Sequence, residues 1–273
     1  MTNTPLVKID NFYLKREDQN PTGSAKDRAI PFQINNLKQK GYTHAVISST
    51  GNAAISAAHF CQSNQIELTI FLSSKVNLKK MDLLKRYPSE IILTDKAISQ
   101  AIKFAKKNNY YLLRQSTDPS ALTGYQQIAV EILEDLSKIT SIFIPVGSGT
   151  TLLGIAQKLP LSTKIFAVQS AANCPISKYF DTNFIPENRL ITDALSVKFI
   201  PQKNKIISTI QKSNGSGFTI QNESILLANQ LLESNGITTS LEGSLALAGY
   251  QKAIKNNIEI GEYPVILLTG AKR

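Results

Sequence analysis

The 273-residue chain has only two cysteines, Cys61 and Cys174, far apart in sequence. That excludes a disulfide framework and a cysteine-built metal site. With two histidines in all, no His-Glu-x-x-His or comparable ligand spacing occurs, so no metal is expected. Runs of about 18 apolar residues are lacking, and no membrane span is expected. Met1 to Lys8 has no apolar stretch of the kind a secretory signal needs, so a cytoplasmic protein is expected. Repeats, low-complexity segments and long flexible linkers are also missing. A second domain therefore has to be an insertion rather than a tail.

What is present suffices for a sizeable core: 42% of the residues are hydrophobic. The formal charge is +10, but the lysines are scattered over polar helix faces. No dense basic block and no RNA-binding aromatic motif accompanies them, which argues against nucleic acid as the partner. A bias toward small anions fits the same charge.

Short apolar runs alternate with amphipathic stretches. Strands are expected at 12–15, 43–48, 68–72, 90–93, 110–113, 141–145, 164–168 and 264–268. Helices are expected at 29–40, 53–61, 77–86, 97–107, 123–136, 152–158, 204–212, 223–233 and 243–255. The alternation predicts an α/β fold, mostly parallel, with helices on both faces of the sheet. In such folds ligands bind outside the carboxyl ends of the strands.

Three strand-to-helix loops lie in that position. Asn20 to Arg28 breaks structure at Pro21 and Gly23, offers Thr22 or Ser24 as a cap, and sets Lys26 in the first helical turn. A helix start carries partial positive charge and disfavours an ammonium, which suits an amine kept reactive. Val146-Gly147-Ser148-Gly149-Thr150-Thr151 offers backbone N–H groups and hydroxyls to an anion. It fails the dinucleotide and nucleotide patterns, so a phosphate without a nucleotide is the better ligand. Ser49-Thr50-Gly51-Asn52 offers hydroxyls and an amide at another helix start, where a carboxylate is welcome. A lysine amine that condenses with an aldehyde, beside phosphate and carboxylate sites, matches pyridoxal phosphate acting on an amino acid.

These segments resemble the fold type II pyridoxal-phosphate enzymes, the tryptophan synthase β-like superfamily. Thr4-Pro5-Leu6-Val7, Leu14 to Asp18, Asn20 to Arg28, Ser48 to Asn52, Gly124 with Ile128 to Ile132, Val146 to Thr151, Glu242 and Leu268-Thr269-Gly270 follow the family's order. The resemblance implies that Lys26 carries the cofactor and then serves as acid and base. Asn52 would bond the ring oxygen, and Gly147, Ser148, Gly149, Thr150 and Thr151 the phosphate. Ser49, Thr50, Gly51 and Asn52 would hold the substrate carboxylate. Thr269 would face the pyridine nitrogen. It further implies a homodimer, a large domain of residues 1–42 and 120–273, and a small inserted domain of residues 43–119.

Within the family, Asn20 to Arg28, Ser49 to Asn52 and the terminal Thr269-Gly270-Ala271-Lys272 resemble threonine synthases, which turn O-phosphohomoserine and water into threonine and phosphate. Ala121 stands where those enzymes usually carry an arginine for the substrate phosphate. Asp118-Pro119 to Gly124 instead resembles serine/threonine ammonia-lyases, and the Gly147 loop resembles cysteine synthases. A threonine synthase-like reaction leads. Ammonia-lyase, cysteine synthase-type β-replacement and a silent cofactor-binding regulator stand as alternatives.

Overall fold

A computed structural model describes residues 3–49, 51–74, 76, 78–197 and 199–273. The described chain forms two sheets. The first comprises β1 (Leu6–Ile9), β2 (Phe12–Lys15), β7 (Ser141–Pro145), β8 (Lys164–Ser170), β9 (Ser216–Ile220) and β10 (Pro264–Leu267). Its order is β1-β2-β10-β7-β8-β9, parallel except for the β1–β2 pair. The second comprises β3 (His44–Ser48), β4 (Glu67–Leu72), β5 (Glu90–Leu93) and β6 (Tyr111–Leu112), in the order β5-β4-β3-β6 and parallel throughout.

The helices are α1 (Lys26–Gln39), α2 (Asn52–Ser63), α3 (Leu78–Leu84), α4 (Ala97–Asn108), α5 (Ser120–Asp135), α6 (Thr150–Ala156), α7 (Lys203–Lys212), α8 (Asn222–Ser234) and α9 (Leu241–Lys255). They cover both faces of both sheets because alternate strand residues point to opposite sides. In β7, Ile142 and Ile144 pack with Ile128 and Ile132 of α5, Leu152 of α6 and Ile206 of α7. Phe143 between them packs with Leu245 and Ala248 of α9 and Ile225 of α8. In β3, Ala45 and Ile47 face α1 and α2, whereas Val46 faces Ala101 and Ala105 of α4.

Most expected elements form within two or three residues of their sequence bounds. One strand is new. β9 escapes the sequence pattern because Gly215 and Gly217 interrupt its apolar run. The irregular stretch 171–197 holds two short 3₁₀ turns, Ser177–Tyr179 and Asp193–Leu195. Expected helix residue Asn77 lies outside the described residues.

A buried ionic cluster fixes the start of α1 to the rest. Arg28, Glu17 and Lys15 are fully buried and Glu131 nearly so. Arg28 donates to both Glu17 and Glu131, Lys15 Nζ donates to Glu131 Oε2 at 2.6 Å, and Thr4 joins through its hydroxyl and amide. Every charge has an opposite partner, which burial at this depth requires.

Candidate active site

The Lys26 loop is stitched to the loop after β10. Ala25 N donates to Thr269 O at 3.0 Å, Ala271 N donates to Gly23 O at 2.8 Å, and Ser24 bridges Gly270. Lys26 thereby stands beside Thr269, although 243 positions separate them in the chain (269 − 26). The expected cap is different in detail. The Thr22 hydroxyl and amide both donate to the Asp27 carboxylate, at 2.5 and 2.6 Å, instead of Thr22 accepting from the helix. The Ser24 hydroxyl accepts weakly from Lys26 N at 3.4 Å. Ala25 occupies the cap position itself. Burial pushes the Asp27 carboxyl above its usual range, against the pull of those Thr22 bonds.

A cavity of about 290 Å³ lies between the carboxyl ends of the two sheets. Lys26, Asn52 and Thr269 line it, as do Ser49 from the β3–α2 loop and Gly147, Ser148, Gly149 and Thr151 from the β7–α6 loop. Gly51 and Thr150 are buried behind the wall. Thr50 lies outside the described residues.

The β7–α6 loop has the shape an anion cradle needs. Gly149 has φ +80°, and a Cβ there would overlap the side chain of Ile206. Ser148 Oγ and Thr150 Oγ1 are 3.0 Å apart. The first N–H groups of α6 have no intrahelical acceptor, so they are available to a ligand. At the β3–α2 loop, a Cβ on Gly51 would stand 3.3 Å from Lys80 Nζ. Lys80 is buried and sets a positive charge behind the loop expected to hold a carboxylate.

Polar atoms also converge at Gly270. Asn52 Nδ2 and Ser240 Oγ lie 3.0 and 3.2 Å from where its Cβ would be. The buried Ser240 hydroxyl has no partner among the described residues. Arg273 Nη1 donates to Asn52 Oδ1 at 3.1 Å, and its other terminal nitrogen meets the carbonyl of Thr22.

A profile of pyridoxal-phosphate dependent enzymes matches residues 1–270. The chain belongs to that family. Its cofactor is pyridoxal 5′-phosphate, and its fold is type II. It is 26% identical over 300 residues to a threonine synthase of Methanosarcina acetivorans, covering 97% of this chain and 73% of that one. It is also 26% identical over 288 residues to a biosynthetic L-threonine dehydratase of Salmonella typhimurium, covering 98% of this chain but 56% of the relative. The processed form of a threonine deaminase from Solanum lycopersicum superposes with TM-score 0.87 at 21% identity, covering 100% of this chain and 80% of that one.

The residues present fit the cofactor: an amine at Lys26, a glycine-bearing cradle at a helix start, an amide at Asn52 and a hydroxyl at Thr269 share one cavity. Other wall residues had no site role assigned from sequence. Arg114, Gln115 and Ser116 come from the loop after β6, and Glu242 from α9 supports Ala194 N through Oε1 at 3.0 Å. Glu242 belongs to one of the family segments, and Gln115 and Ser116 lead into the Asp118–Gly124 run. Ala121, by contrast, is fully buried among apolar residues and is not part of the wall.

Proposed function

We propose that the protein is a lyase or synthase acting on a small amino acid activated at Cβ or Cγ, with a threonine synthase-like reaction first. The observation that carries this is the convergence of Lys26, Asn52, Thr269 and the Gly147–Thr151 loop on one cavity. When bound, the cofactor supplies an aldehyde for the Lys26 amine and an electron sink for charge developing at the substrate Cα.

The chain's own residues divide the remaining work. The Gly147–Thr151 loop holds the cofactor phosphate through backbone N–H groups and hydroxyls. Asn52 would hold the ring oxygen. Thr269 would offer a hydroxyl rather than a carboxylate to the ring nitrogen, an arrangement that would not favour its protonation. A hydroxyl partner there would suit elimination and replacement better than transamination. Ser49 to Asn52 hold the substrate carboxylate, with Lys80 behind them adding attraction. Lys26, once released, takes and returns protons at the substrate carbons.

Arg114 supports a substrate that carries a second anion. It lines the cavity, and its guanidinium has no acceptor among the described residues. A phosphate is the natural partner of a guanidinium. The cation that Ala121 lacks is thus present seven residues earlier (121 − 114), on the wall itself. Residues 43–119 act in this reading as a unit that closes over the substrate carboxylate and excludes water.

A steady-state panel tests the reading: O-phosphohomoserine, serine, threonine, and O-acetylserine with sulfide. Phosphate release from O-phosphohomoserine with threonine formed is the expected result. No phosphate release sinks the leading reaction. The run Asp118-Pro119 to Gly124 and the dehydratase relative favour ammonia release as the second reading. It is selected if serine or threonine alone yields a keto acid and ammonia.

A further inference from the structure

Lys26 is held by a chain of polar groups that the reading above leaves unused. Its Nζ donates to the Tyr125 hydroxyl at 3.1 Å, and that hydroxyl donates to Gln115 Oε1 at 2.9 Å. Tyr125 is fully buried in the second turn of α5, within the apolar cluster formed with α6 and β7. A Cβ on Gly154 would stand 2.5 Å from Tyr125 Cβ, so α6 presses directly on it. The ring is thus enclosed, with its hydroxyl beside the amine. Gln115 lies on the cavity wall, and its Nε2 is a buried donor with no partner among the described residues.

We infer that Tyr125 is a positioning residue for Lys26, and that Gln115 sets the direction of the Tyr125 hydroxyl. The inference rests on the reading of Lys26 as the cofactor-bearing, proton-transferring lysine. An ammonium can only donate. With Lys26 charged, the phenol must accept from it and pass its own hydrogen to the amide oxygen of Gln115. The heavy-atom geometry accommodates that arrangement. A neutral amine presents a lone pair. The phenol can then donate to Nζ, and a turned Gln115 amide gives the otherwise unpartnered Nε2 hydrogen to the phenol oxygen. Both protonation states of Lys26 are satisfied with the heavy atoms of the lysine and the ring in place. A group that alternates between giving and taking a proton needs such a support. A buried tyrosine with an amide behind it provides one, whereas a one-way donor or acceptor does not.

The test uses the full chain with Tyr125→Phe and Gln115→Leu, separately and together. Phenylalanine keeps the packed ring, and Gln115 lies in a loop, so the two variants do not share one risk of misfolding. Three quantities are read: the rate at which cofactor-free protein becomes labelled at Lys26 by pyridoxal phosphate and borohydride, the exchange of a substrate amino acid's Cα hydrogen with solvent deuterium, and the thermal midpoint.

Tyr125→Phe is expected to slow labelling and exchange by about tenfold, the effect of one hydrogen bond to an ionisable group. Gln115→Leu is expected to slow them by about threefold, since it acts only through the phenol. The double variant should be no slower than Tyr125→Phe alone, because the two act in series. The thermal midpoint should move too little to account for either change. Wild-type labelling and exchange rates in Tyr125→Phe overturn the inference, as do effects that multiply in the double variant. If wild-type protein itself takes no label at Lys26, the underlying functional reading fails and the inference falls with it.

Discussion

Arg28 and Glu131 face each other in a two-pronged ion pair, Nη1 to Oε1 at 2.5 Å and Nη2 to Oε2 at 2.7 Å. The pair ties α1, which begins with Lys26, to α5, which carries Tyr125. Lys26 thus owes its position partly to a contact well away from the cavity.

Replacing Glu131 by alanine leaves Arg28 and Lys15 buried with reduced compensation. The expected loss is about 3–5 kcal/mol of folding stability, measured by urea denaturation. A change below about 1 kcal/mol would show that the cluster relaxes to admit water.

The same carboxylate makes stability depend on pH. Burial raises the Glu131 pKa, but the hydrogen bonds from Arg28 and Lys15 outweigh it, and the net direction is down from 4.5. A group with a depressed folded pKa stabilises the fold above its unfolded value and loses that contribution as pH falls through the folded one. Asp118 has the same sign: burial raises it, and bonds from Ser120, Tyr111 and Gln33 carry it lower than 3.8. The contribution of Glu131 and Asp118 to the denaturation midpoint should be full above about pH 5 and lost progressively below about pH 4, while Asp27, raised by burial, works in the opposite direction. In Glu131→Gln the part of that loss due to Glu131 should vanish.

Gly149→Ala tests the phosphate cradle. An L-residue at φ +80° is strained by about 1–2 kcal/mol, and its Cβ displaces Ile206. Cofactor affinity, read by absorbance on titration, should fall at least about tenfold. Unchanged affinity would place the phosphate elsewhere.

Arg114→Ala separates the candidate substrates. KM for O-phosphohomoserine should rise by about 10–100-fold, the loss of a charged hydrogen bond, while deamination of serine should change little. Equal effects on both would assign Arg114 a structural role.

Much of this was legible in the sequence, and for physical reasons. Strands β5 and β7 end where Leu93 and Pro145 meet polar loops, so their bounds follow from composition. The loops around Lys26, Ser49 and Gly147 are recognisable because glycine, proline and hydroxyl residues punctuate them. What was hidden depends on distance in the chain. Tyr125 reads as one more apolar position of an amphipathic helix, and its hydroxyl becomes meaningful only when α5 packs on α1. Arg273 on Asn52 is equally invisible, because no local pattern brings the two together. At the cap, sequence offers Thr22 and Ser24 alike and cannot show that Thr22 donates to Asp27 while only the Ser24 hydroxyl accepts, weakly, from the helix. Ala121 appeared decisive for the substrate, yet it packs in the core while Arg114 faces the cavity.

The central claim is that Lys26 is the lysine that carries the cofactor. Incubation with pyridoxal phosphate, borohydride reduction, proteolysis and mass spectrometry of the peptides address it directly. The account predicts one reduced cofactor adduct, on the peptide containing Lys26, and none in Lys26→Ala. An adduct on another lysine, or no adduct at all in the wild-type chain, would contradict it.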